Sequence, residues 1–271
     1  MSFDQVHVLS FESRRAGEMA ELIRINGGEP FVAPALIEVP LEHNQEALSF
    51  ASRLYADEFD IVIFLTGVGA RLLRRAIATR DSEAQFLDAL RRIATVCRGP
   101  KPAAVLREWS VPVTVPVPEP ATWREVLAAM QARPEKSAAV QEYGRANREL
   151  IDGLIRQGRT VASVPVYRWK LPEDTSLLAR ALDNLLGGSF QVSLFTTGVQ
   201  IEHFLEFAAG RGERERAVAA LNRTLVASIG PDCSESLRAC GIPPACEPSH
   251  PKMGILVREA ALKISERNRT A

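Results

Sequence analysis

The sequence is poor in cysteine, has no surplus charge of either sign, and contains no long apolar run. Only four of its 271 residues are cysteine and none forms a CxxC pair, so we expect no disulfide framework and a cytoplasmic location. Lysine plus arginine and aspartate plus glutamate number 33 each, which argues against a generally basic nucleic-acid-binding protein. No window approaches the roughly 20 apolar residues that span a bilayer, and no signal-peptide layout is present. The composition therefore predicts neither a nucleic-acid nor a membrane partner.

Motifs for cofactors, metals and common catalytic reactions are also missing. The run Gly67–Leu72 lacks the third glycine of a dinucleotide fingerprint, and no GxxxxGK[ST] or GxSxG motif occurs. The spacings among Cys233, Cys240, Cys246 and His250 match no usual metal-ligand pattern. We therefore predict that the protein uses no metal and no cofactor, and that it carries no redox, hydrolytic or phosphoryl-transfer apparatus.

One stretch of the chain occurs twice. Residues 61–73, IVIFLTGVGARLL, match residues 192–205, VSLFTTGVQIEHFL, and place Thr66 on Thr197 at an offset of 131 (197 − 66 = 131). Twice this offset nearly exhausts the chain, so we interpret the sequence as a tandem duplication of one module. The same offset relates other pairs, namely Gly99-Pro100 with Gly230-Pro231, Arg14 with Arg145, and Pro34 with Pro165.

Strand and helix patterns alternate along both copies. Asp60–Thr66 is a near-continuous apolar run, which is typical of a central parallel strand that is covered on both faces. Thr122 is followed three residues later by Glu125, which is the spacing of a capping box. The other predicted strands cover residues 6–11, 31–39, 93–97, 112–117, 138–141, 160–169, 190–196 and 224–229, and helices are predicted from residues 14, 44, 67, 102 and 145. The alternation predicts an α/β fold of two similar doubly wound parallel-sheet domains.

The domain boundaries have two possible arrangements. The chain could divide at the repeat boundary near residue 136, so that each copy folds on itself. Alternatively, the extended segments 34–40 and 165–172, which are equivalent positions in the two copies, could bridge two bodies that have exchanged their first βαβ units. The residues alone leave both arrangements open.

Candidate ligand-binding residues lie at the predicted carboxyl ends of the strands, where ligands bind in doubly wound sheets. Glycines there let a ligand approach the backbone, the amides that open a helix attract anions, and basic side chains add charge-assisted hydrogen bonds. These residues predict a polar cleft for a polyanion, although the same residue types also shape ordinary strand–helix turns. The candidates are Ser13, Arg14, Thr66, Gly67, Val68, Arg98, Gly99, Lys101, Tyr143, Gly144, Arg145, Thr196, Thr197, Gly198 and Gly230.

The order and spacing of several motifs resemble the uroporphyrinogen-III synthase family. The resemblance covers almost the whole chain and is carried by FLTGVGA, LFTTGVQ, CRGPKP, SIGPD and VPVYRWKLPED. The runs RGPKP, VPEPATWRE, QEYGRAN and HPKMG resemble a bacterial subgroup more closely, some members of which carry a C-terminal response-regulator or DNA-binding domain. We expect no such extension here, because the sequence ends at Ala271.

The resemblance implies an architecture and a reaction. One domain would comprise residues 1–34 and 171–271, the other residues 38–166, and the strands 35–39 and 166–170 would link them. The reaction would convert hydroxymethylbilane, a linear polycarboxylate tetrapyrrole, to uroporphyrinogen III with loss of water and inversion of ring D through a spiro intermediate. The protein would be a monomer that encounters hydroxymethylbilane synthase transiently.

The resemblance also implies roles for individual residues. Tyr167, by its place in VYRW, would donate a hydrogen bond or a proton to the leaving hydroxyl group, while its alternative role is to pack the linker. Lys252, in HPKMG, would contact a substrate carboxylate. The threonines and the strand-end amides would bind the substrate, so that catalysis would rest mainly on positioning.

Two departures from the family pattern leave an alternative function open. The family often has two hydroxylic residues where Thr66 alone precedes Gly67, and the run 98–102 is more basic and richer in proline than the common form. The alternative is a catalytically inactive module that senses tetrapyrroles or anions. A two-domain binding protein of the periplasmic type is disfavoured by the missing export signal.

Overall fold

The chain forms two compact units. The computed structural model describes residues 2–41, 44–142, 144 and 147–270. Unit 1 comprises Met1–Ile37 and Lys170–Ala271, and unit 2 comprises Glu38–Trp169. The two boundaries between the units fall within the predicted linker segments 35–39 and 166–170.

Strands and helices alternate in both units, and the predicted α/β class is confirmed. The strands are β1 (His7–Ser10), β2 (Glu29–Val32), β3 (Ile37–Pro40), β4 (Ile61–Phe64), β5 (Ala94–Cys97), β6 (Val115–Pro116), β7 (Ser137–Gln141), β8 (Thr160–Val164), β9 (Tyr167–Lys170), β10 (Val192–Phe195) and β11 (Leu225–Ser228). The helices are α1 (Ala16–Ile25), α2 (Gln45–Tyr55), α3 (Gly67–Ile77), α4 (Glu83–Arg92), α5 (Pro100–Glu108), α6 (Trp123–Met130), α7 (Arg148–Arg156), α8 (Ser176–Leu186), α9 (Gly198–Gly210), α10 (Arg214–Leu221), α11 (Pro231–Ala239) and α12 (Met253–Thr270). Within the described residues, no helix has both the length and the apolar character that crossing a membrane requires.

Each unit is built on a parallel sheet. Unit 2 has a five-stranded sheet in the order β6-β5-β4-β7-β8, and unit 1 has a four-stranded sheet in the order β11-β10-β1-β2. All the recorded pairings within these sheets are parallel. Strands β3 and β9 pair with each other in a separate two-stranded sheet.

The bounds of the elements repeat at the offset found in the sequence. Strand β10 begins 131 residues after β4 (192 − 61 = 131), and β11 begins 131 residues after β5 (225 − 94 = 131). By the same offset β7 and β8 correspond to β1 and β2, so the strand orders β5-β4-β7-β8 and β11-β10-β1-β2 are equivalent. Each sheet consequently joins a strand from the first half of the sequence to a strand from the second half, β4 to β7 in unit 2 and β1 to β10 in unit 1.

Both faces of each sheet are covered by helices. On β4, Val62 and Phe64 belong to a core cluster with residues of α2, α3, α4 and α5, while Ile61 and Ile63 belong to a second cluster with residues of α6 and α7. Because successive residues of a strand point to opposite faces, a strand that is covered on both faces needs a continuous apolar run. Burial of each side chain of this size contributes about 1.5–3 kcal/mol. The prediction of a central parallel strand at residues 60–66 is confirmed.

Two predicted strands differ from the structure because of proline. The predicted strand 112–117 contains only the two-residue strand β6, since Pro112 and Pro116 have no N–H group for a ladder. One backbone hydrogen bond remains beside β6, from the Thr114 amide to Thr95 O at 3.0 Å. Side chains add to it, because the Thr95 hydroxyl donates to Pro112 O and the Thr95 amide donates to Thr114 Oγ1 at 3.1 Å. The predicted extended segment 160–169 is divided by Pro165 into β8 and β9.

Whether a predicted helix start agrees with the structure depends on which residue caps the helix. Helix α6 begins after Thr122, and the predicted capping box is confirmed, with the Thr122 amide donating to Glu125 Oε2 at 2.7 Å. Helix α7 begins at Arg148 rather than at residue 145, because Asn147 is its cap and accepts from the Leu150 amide at 3.0 Å. Helix α1 begins at Ala16, two residues later than predicted.

In each unit a buried glutamine accepts a hydrogen bond from the backbone amide of the threonine before the helix. The glutamine belongs to a strand in unit 2 and to a helix in unit 1. In unit 2, Gln141 of β7 accepts from the Thr66 amide at 3.3 Å. In unit 1, Gln200 of α9 accepts from the Thr197 amide at 3.4 Å. Position 200 corresponds to Gly69 (200 − 69 = 131), where an added Cβ would lie 1.9 Å from Gln141 Nε2. Position 141 corresponds to Ser10 (141 − 10 = 131), so each unit pairs one glutamine with one small residue.

This exchange predicts compensation between two substitutions in unit 2. Gly69→Gln should lower the free energy of unfolding by about 1–3 kcal/mol through overpacking. Gln141→Ser should lower it by about 1–3 kcal/mol, because the Thr66 amide loses its acceptor. The double variant recreates the unit 1 pair and should recover most of the loss.

Urea denaturation followed by tryptophan fluorescence measures this effect in unit 2 alone, because Trp109, Trp123 and Trp169 all lie there. Simple addition of the two losses in the double variant would contradict the compensation.

Candidate functional site

Each unit has a polar edge where its parallel strands end. In unit 2, Phe64 of β4 is in register with Cys97 of β5 and with Gln141 of β7. Thr66, Arg98-Gly99 and Gly144 therefore follow neighbouring strands at one edge. In unit 1, the register of β1 with β10 and of β10 with β11 brings together the residues after those strands, namely Glu12, Ser13, Thr196, Thr197 and Gly230. Both edges carry residues that the sequence predicted.

Thr66 caps helix α3 at the unit 2 edge. Its Oγ1 accepts from the Gly69 amide at 3.0 Å, and its own amide donates to Gln141. In the described part of the chain the Thr66 hydroxyl hydrogen has no acceptor, and the residue is partly exposed. Thr66 is therefore placed to donate one hydrogen bond to a ligand. Val68, the second residue of α3, packs against the core cluster that α2–α5 form with the sheet.

Close helix packing explains two of the predicted glycines. A Cβ on Gly67 would lie 2.9 Å from Lys101 O in α5, and a Cβ on Gly198 would lie 2.1 Å from Ser236 Oγ in α11. Contacts this short require the absence of a side chain at the start of α3 and at the start of α9. Both glycines thus have a packing role between helices, which differs from the ligand approach and from the turn shaping that the sequence suggested for them.

The end of β5 carries basic side chains on a proline-rich helix start. Gly99 has a φ of +90°, which only glycine adopts readily, and Pro100 opens α5. Since Pro100 and Pro102 lack N–H groups, the first turn of α5 offers fewer amides to an anion than an ordinary helix. Lys101 is exposed on this first turn. Attraction of an anion here depends more on side-chain charge than on backbone amides.

The end of β7 contains a buried carboxyl group. Glu142 is only 6% exposed, and its Oε1 accepts from Ser163 Oγ at 3.1 Å. Burial raises the pKa of Glu142, while the hydrogen bonds from Ser163 and from the Asn147 amide act in the opposite direction. Gly144 has a φ of +67°, and a Cβ there would lie 2.2 Å from Trp169 Cδ2. The predicted residues Tyr143 and Arg145 lie outside the described residues.

At the unit 1 edge, Glu12 is a central residue that the sequence analysis did not select. The Thr196 hydroxyl donates to Glu12 Oε2, and the Arg15 amide donates to Glu12 Oε1 at 3.1 Å. Gln200 Nε2 in turn donates to Thr196 Oγ1 at 2.8 Å. The hydrogen of the predicted Thr196 hydroxyl is thus already engaged. The offset could have identified Glu12, because it corresponds to Tyr143 (143 − 12 = 131).

Among the remaining candidates of unit 1, some form hydrogen bonds within the protein and others are exposed to solvent. Ser13 Oγ accepts from the Leu36 amide at 3.4 Å, and Arg14 is exposed. The Gly230 amide donates to Ser228 Oγ at 3.3 Å, so in this structure it has an acceptor within the protein. Lys252 is exposed, and its carbonyl accepts from the Leu256 amide at 2.9 Å in the first turn of α12. Arg14 and Lys252 are accordingly the exposed cations of this edge among the predicted residues.

Tyr167 lies in the core of unit 2. It is 3% exposed and belongs to the cluster formed with α2–α5. Its ring centroid is 6.1 Å from that of Trp169, at an interplanar angle of 72°. The ring therefore contributes to packing, which was the alternative role given for it.

The raised pKa of Glu142 predicts a pH-dependent stability. The folded protein holds this proton more tightly than the unfolded chain, so stability decreases as pH rises from the ordinary value of 4.5 through the raised pKa. Glu142→Gln is uncharged at every pH and should therefore become progressively more stable than the wild type over this window. Urea denaturation between about pH 4 and pH 8 measures the difference. Glu46→Gln, at an exposed position of unit 2, is the control, and identical pH curves for both variants would contradict the prediction.

Comparison with known proteins connects this arrangement to one family. The sequence model of the family described as uroporphyrinogen-III synthase HemD matches residues 17–258. The "Putative uroporphyrinogen-III synthase" of Methanothermobacter thermautotrophicus is 31% identical over 231 residues, which cover 84% of this chain and 87% of that protein. "Uncharacterized protein YjjA" of Bacillus subtilis is 27% identical over 259 residues, which cover 94% of each chain.

Solved structures share the fold over nearly the whole length. A mutant uroporphyrinogen III synthase from the extremely thermophilic bacterium Thermus thermophilus is similar with a TM-score of 0.74 and 24% identity, covering 97% of this chain and 99% of that chain. The wild-type protein in a second crystal form gives a TM-score of 0.57 at 25% identity, covering 98% and 100%. The family match spans most of both units, including the ends of β4, β5, β7, β10 and β11, and this chain belongs to the uroporphyrinogen-III synthase family.

Proposed function

We propose that the protein cyclises hydroxymethylbilane to uroporphyrinogen III, with inversion of ring D and loss of water. The observation that carries this proposal is the family match over residues 17–258, together with a fold shared with a uroporphyrinogen III synthase over 97% of the chain. The polar strand ends of both units supply hydroxyl, amide and charged groups of the kind that a polycarboxylate substrate requires.

Positioning is the main contribution that the proposed reaction needs. The linear substrate closes by itself to the unwanted isomer I, so chemical reactivity is not limiting. To obtain isomer III, the free end of ring A must meet the substituted carbon of ring D. Holding the two ends in that geometry removes conformational freedom before the reaction, which is the usual origin of large effective molarities.

Substrate carboxylates are assigned in this proposal chiefly to the unit 2 edge. The Thr66 hydroxyl has a hydrogen to donate, and Arg98 and Lys101 follow the neighbouring strand. A charge-assisted hydrogen bond contributes about 1.5–3 kcal/mol when it is shielded from water. These three side chains would hold one part of the substrate and limit its motion.

Loss of the hydroxyl group is assigned to Tyr167 as hydrogen-bond donor. A tyrosine side chain carries one O–H group, which can donate to the oxygen of a leaving hydroxyl group. Burial of Tyr167 in the core of unit 2 would hold its hydroxyl in one direction while excluding competing water.

The reaction itself is tested by generating hydroxymethylbilane in situ, with and without this protein, and separating the oxidised uroporphyrin isomers. We expect predominantly isomer III in the presence of the protein. Isomer I alone, formed at the spontaneous rate by demonstrably folded protein, would overturn the proposed activity. Binding of tetrapyrroles without turnover would instead favour the sensing function.

Two substitutions separate the catalytic and packing roles of Tyr167. Tyr167→Phe keeps the ring and its packing and removes the hydroxyl, so kcat should decrease about 10- to 100-fold in a protein that remains folded. Tyr167→Leu should in addition lower the free energy of unfolding, because the ring packs in the core. Unchanged kcat in Tyr167→Phe would leave Tyr167 with its packing role alone.

A further inference from the structure

The charges at equivalent strand-end positions differ between the two units. Lys101 at the start of α5 corresponds to Asp232 at the start of α11 (232 − 101 = 131). Arg98 corresponds to the apolar Ile229 (229 − 98 = 131), and Tyr143 corresponds to Glu12. The unit 1 edge therefore carries carboxylates at two positions where unit 2 carries a cation and a phenol. A polycarboxylate ligand would meet these two edges with different energies.

Once their hydrogen bonds within the protein are formed, the side chains of Glu12 and Thr196 can accept further hydrogen bonds but cannot donate any. Thr196 has a single hydroxyl hydrogen, which it donates to Glu12, while Gln200 donates to the Thr196 oxygen at 2.8 Å. The Glu12 carboxylate accepts from Thr196 and from the Arg15 amide, and each of its oxygens keeps a further lone pair. Both residues are partly exposed. The two side chains can therefore accept hydrogen bonds from a ligand.

Neighbouring amides and the Arg15 side chain are engaged within the protein. The Thr196 and Thr197 amides donate to Gln200 Oε1 at 2.8 and 3.4 Å. The Arg15 guanidinium forms an ion pair with Glu18. A ligand carboxylate placed beside Glu12 would meet a like charge and would receive no hydrogen from the Thr196 hydroxyl, whereas an N–H group would find two acceptors.

We propose that Glu12 and Thr196 form an acceptor subsite that binds N–H groups of the ligand. This inference rests on the proposed function, in which those groups are the pyrrole N–H groups of the tetrapyrrole. The carboxylates are then bound by the donor-rich edge of unit 2, around Thr66 and Lys101. Glu12 is in this view a determinant of which groups of the substrate unit 1 binds.

Two ligands with the same peripheral carboxylates test the subsite. Uroporphyrinogen III has a hydrogen on every pyrrole nitrogen, whereas in the copper(II) chelate of uroporphyrin III the nitrogens carry none. Calorimetric titration under air-free conditions gives the affinity of each variant for each ligand. Because each variant is compared with the wild type for the same ligand, the different shapes of the two ligands cancel.

Glu12→Gln should weaken uroporphyrinogen III binding by about tenfold, the effect of losing one hydrogen bond to a charged group. Binding of the copper chelate should be unchanged or tighter. Thr196→Val, which is close in shape, should give the same selectivity. Glu21→Gln, an exposed residue of α1 whose ion pair is with Arg24, changes the net charge equally and should leave both affinities unchanged.

Two results would overturn the subsite. Equal losses for both ligands would mean that Glu12 acts by positioning Arg14 and the start of α1. Tighter binding of both ligands by Glu12→Gln would mean that Glu12 only repels carboxylates. Failure of the wild-type protein to bind either ligand would overturn the proposed function and this inference with it.

Discussion

A backbone N–H that is withdrawn from water at the end of a parallel strand needs an acceptor, and the surrounding structure depends on how this need is met. At the central strand of each unit the acceptor is the side-chain carbonyl of a buried glutamine, Gln141 in one unit and Gln200 in the other. The glutamine fixes which neighbouring residue must be small, and it orients the threonine that follows the strand. The same backbone geometry is therefore supported by two different side-chain arrangements, which then present different groups at the edge.

The internal repeat and the apolar pattern made most of the fold predictable. Covering both faces of a strand requires the continuous run at residues 61–64, and a period of 131 residues is visible without any structure. Helix α4 was not predicted, although Phe86, Ala89 and Leu90 have helical spacing and are all buried. Strand β6 is short because Pro112 and Pro116 have no N–H donors, and the apolar pattern of residues 112–117 alone therefore predicted too long a strand. Helix starts were displaced because the capping residue was not identified.

The candidate site was less predictable, since its chemistry depends on which groups are already engaged. Thr66 and Thr196 both lie between a buried strand and the next helix, although Thr66 is equivalent to Thr197 rather than to Thr196 (197 − 66 = 131). The Thr66 hydroxyl hydrogen has no acceptor among the described residues, whereas the Thr196 hydroxyl donates its hydrogen to Glu12. Gly67 and Gly198 were candidates for ligand approach, and the structure adds a packing requirement that no local pattern could indicate. Glu12 was not a candidate because a site that binds a polyanion is expected to contain cations and hydroxyl groups rather than a carboxylate. Hydrogen-bond direction, rather than residue type, separates the two edges.

The order in which the strands are paired has a consequence for the synthesis of the chain. Unit 2 is one continuous segment, Glu38–Trp169, so all its strands have left the ribosome before most of unit 1 is made. Strands β1 and β2 are synthesised first, but the partner of β1 on its other side, β10, comes more than 180 residues later (Val8 pairs with Val192). Until β10 and α12 are made, β1 lacks its second neighbour and the apolar face of α1 has only part of its core, including Phe3 and Val8, to pack against. Strands β1 and β2 with α1 therefore emerge before unit 2 but complete their core only after it.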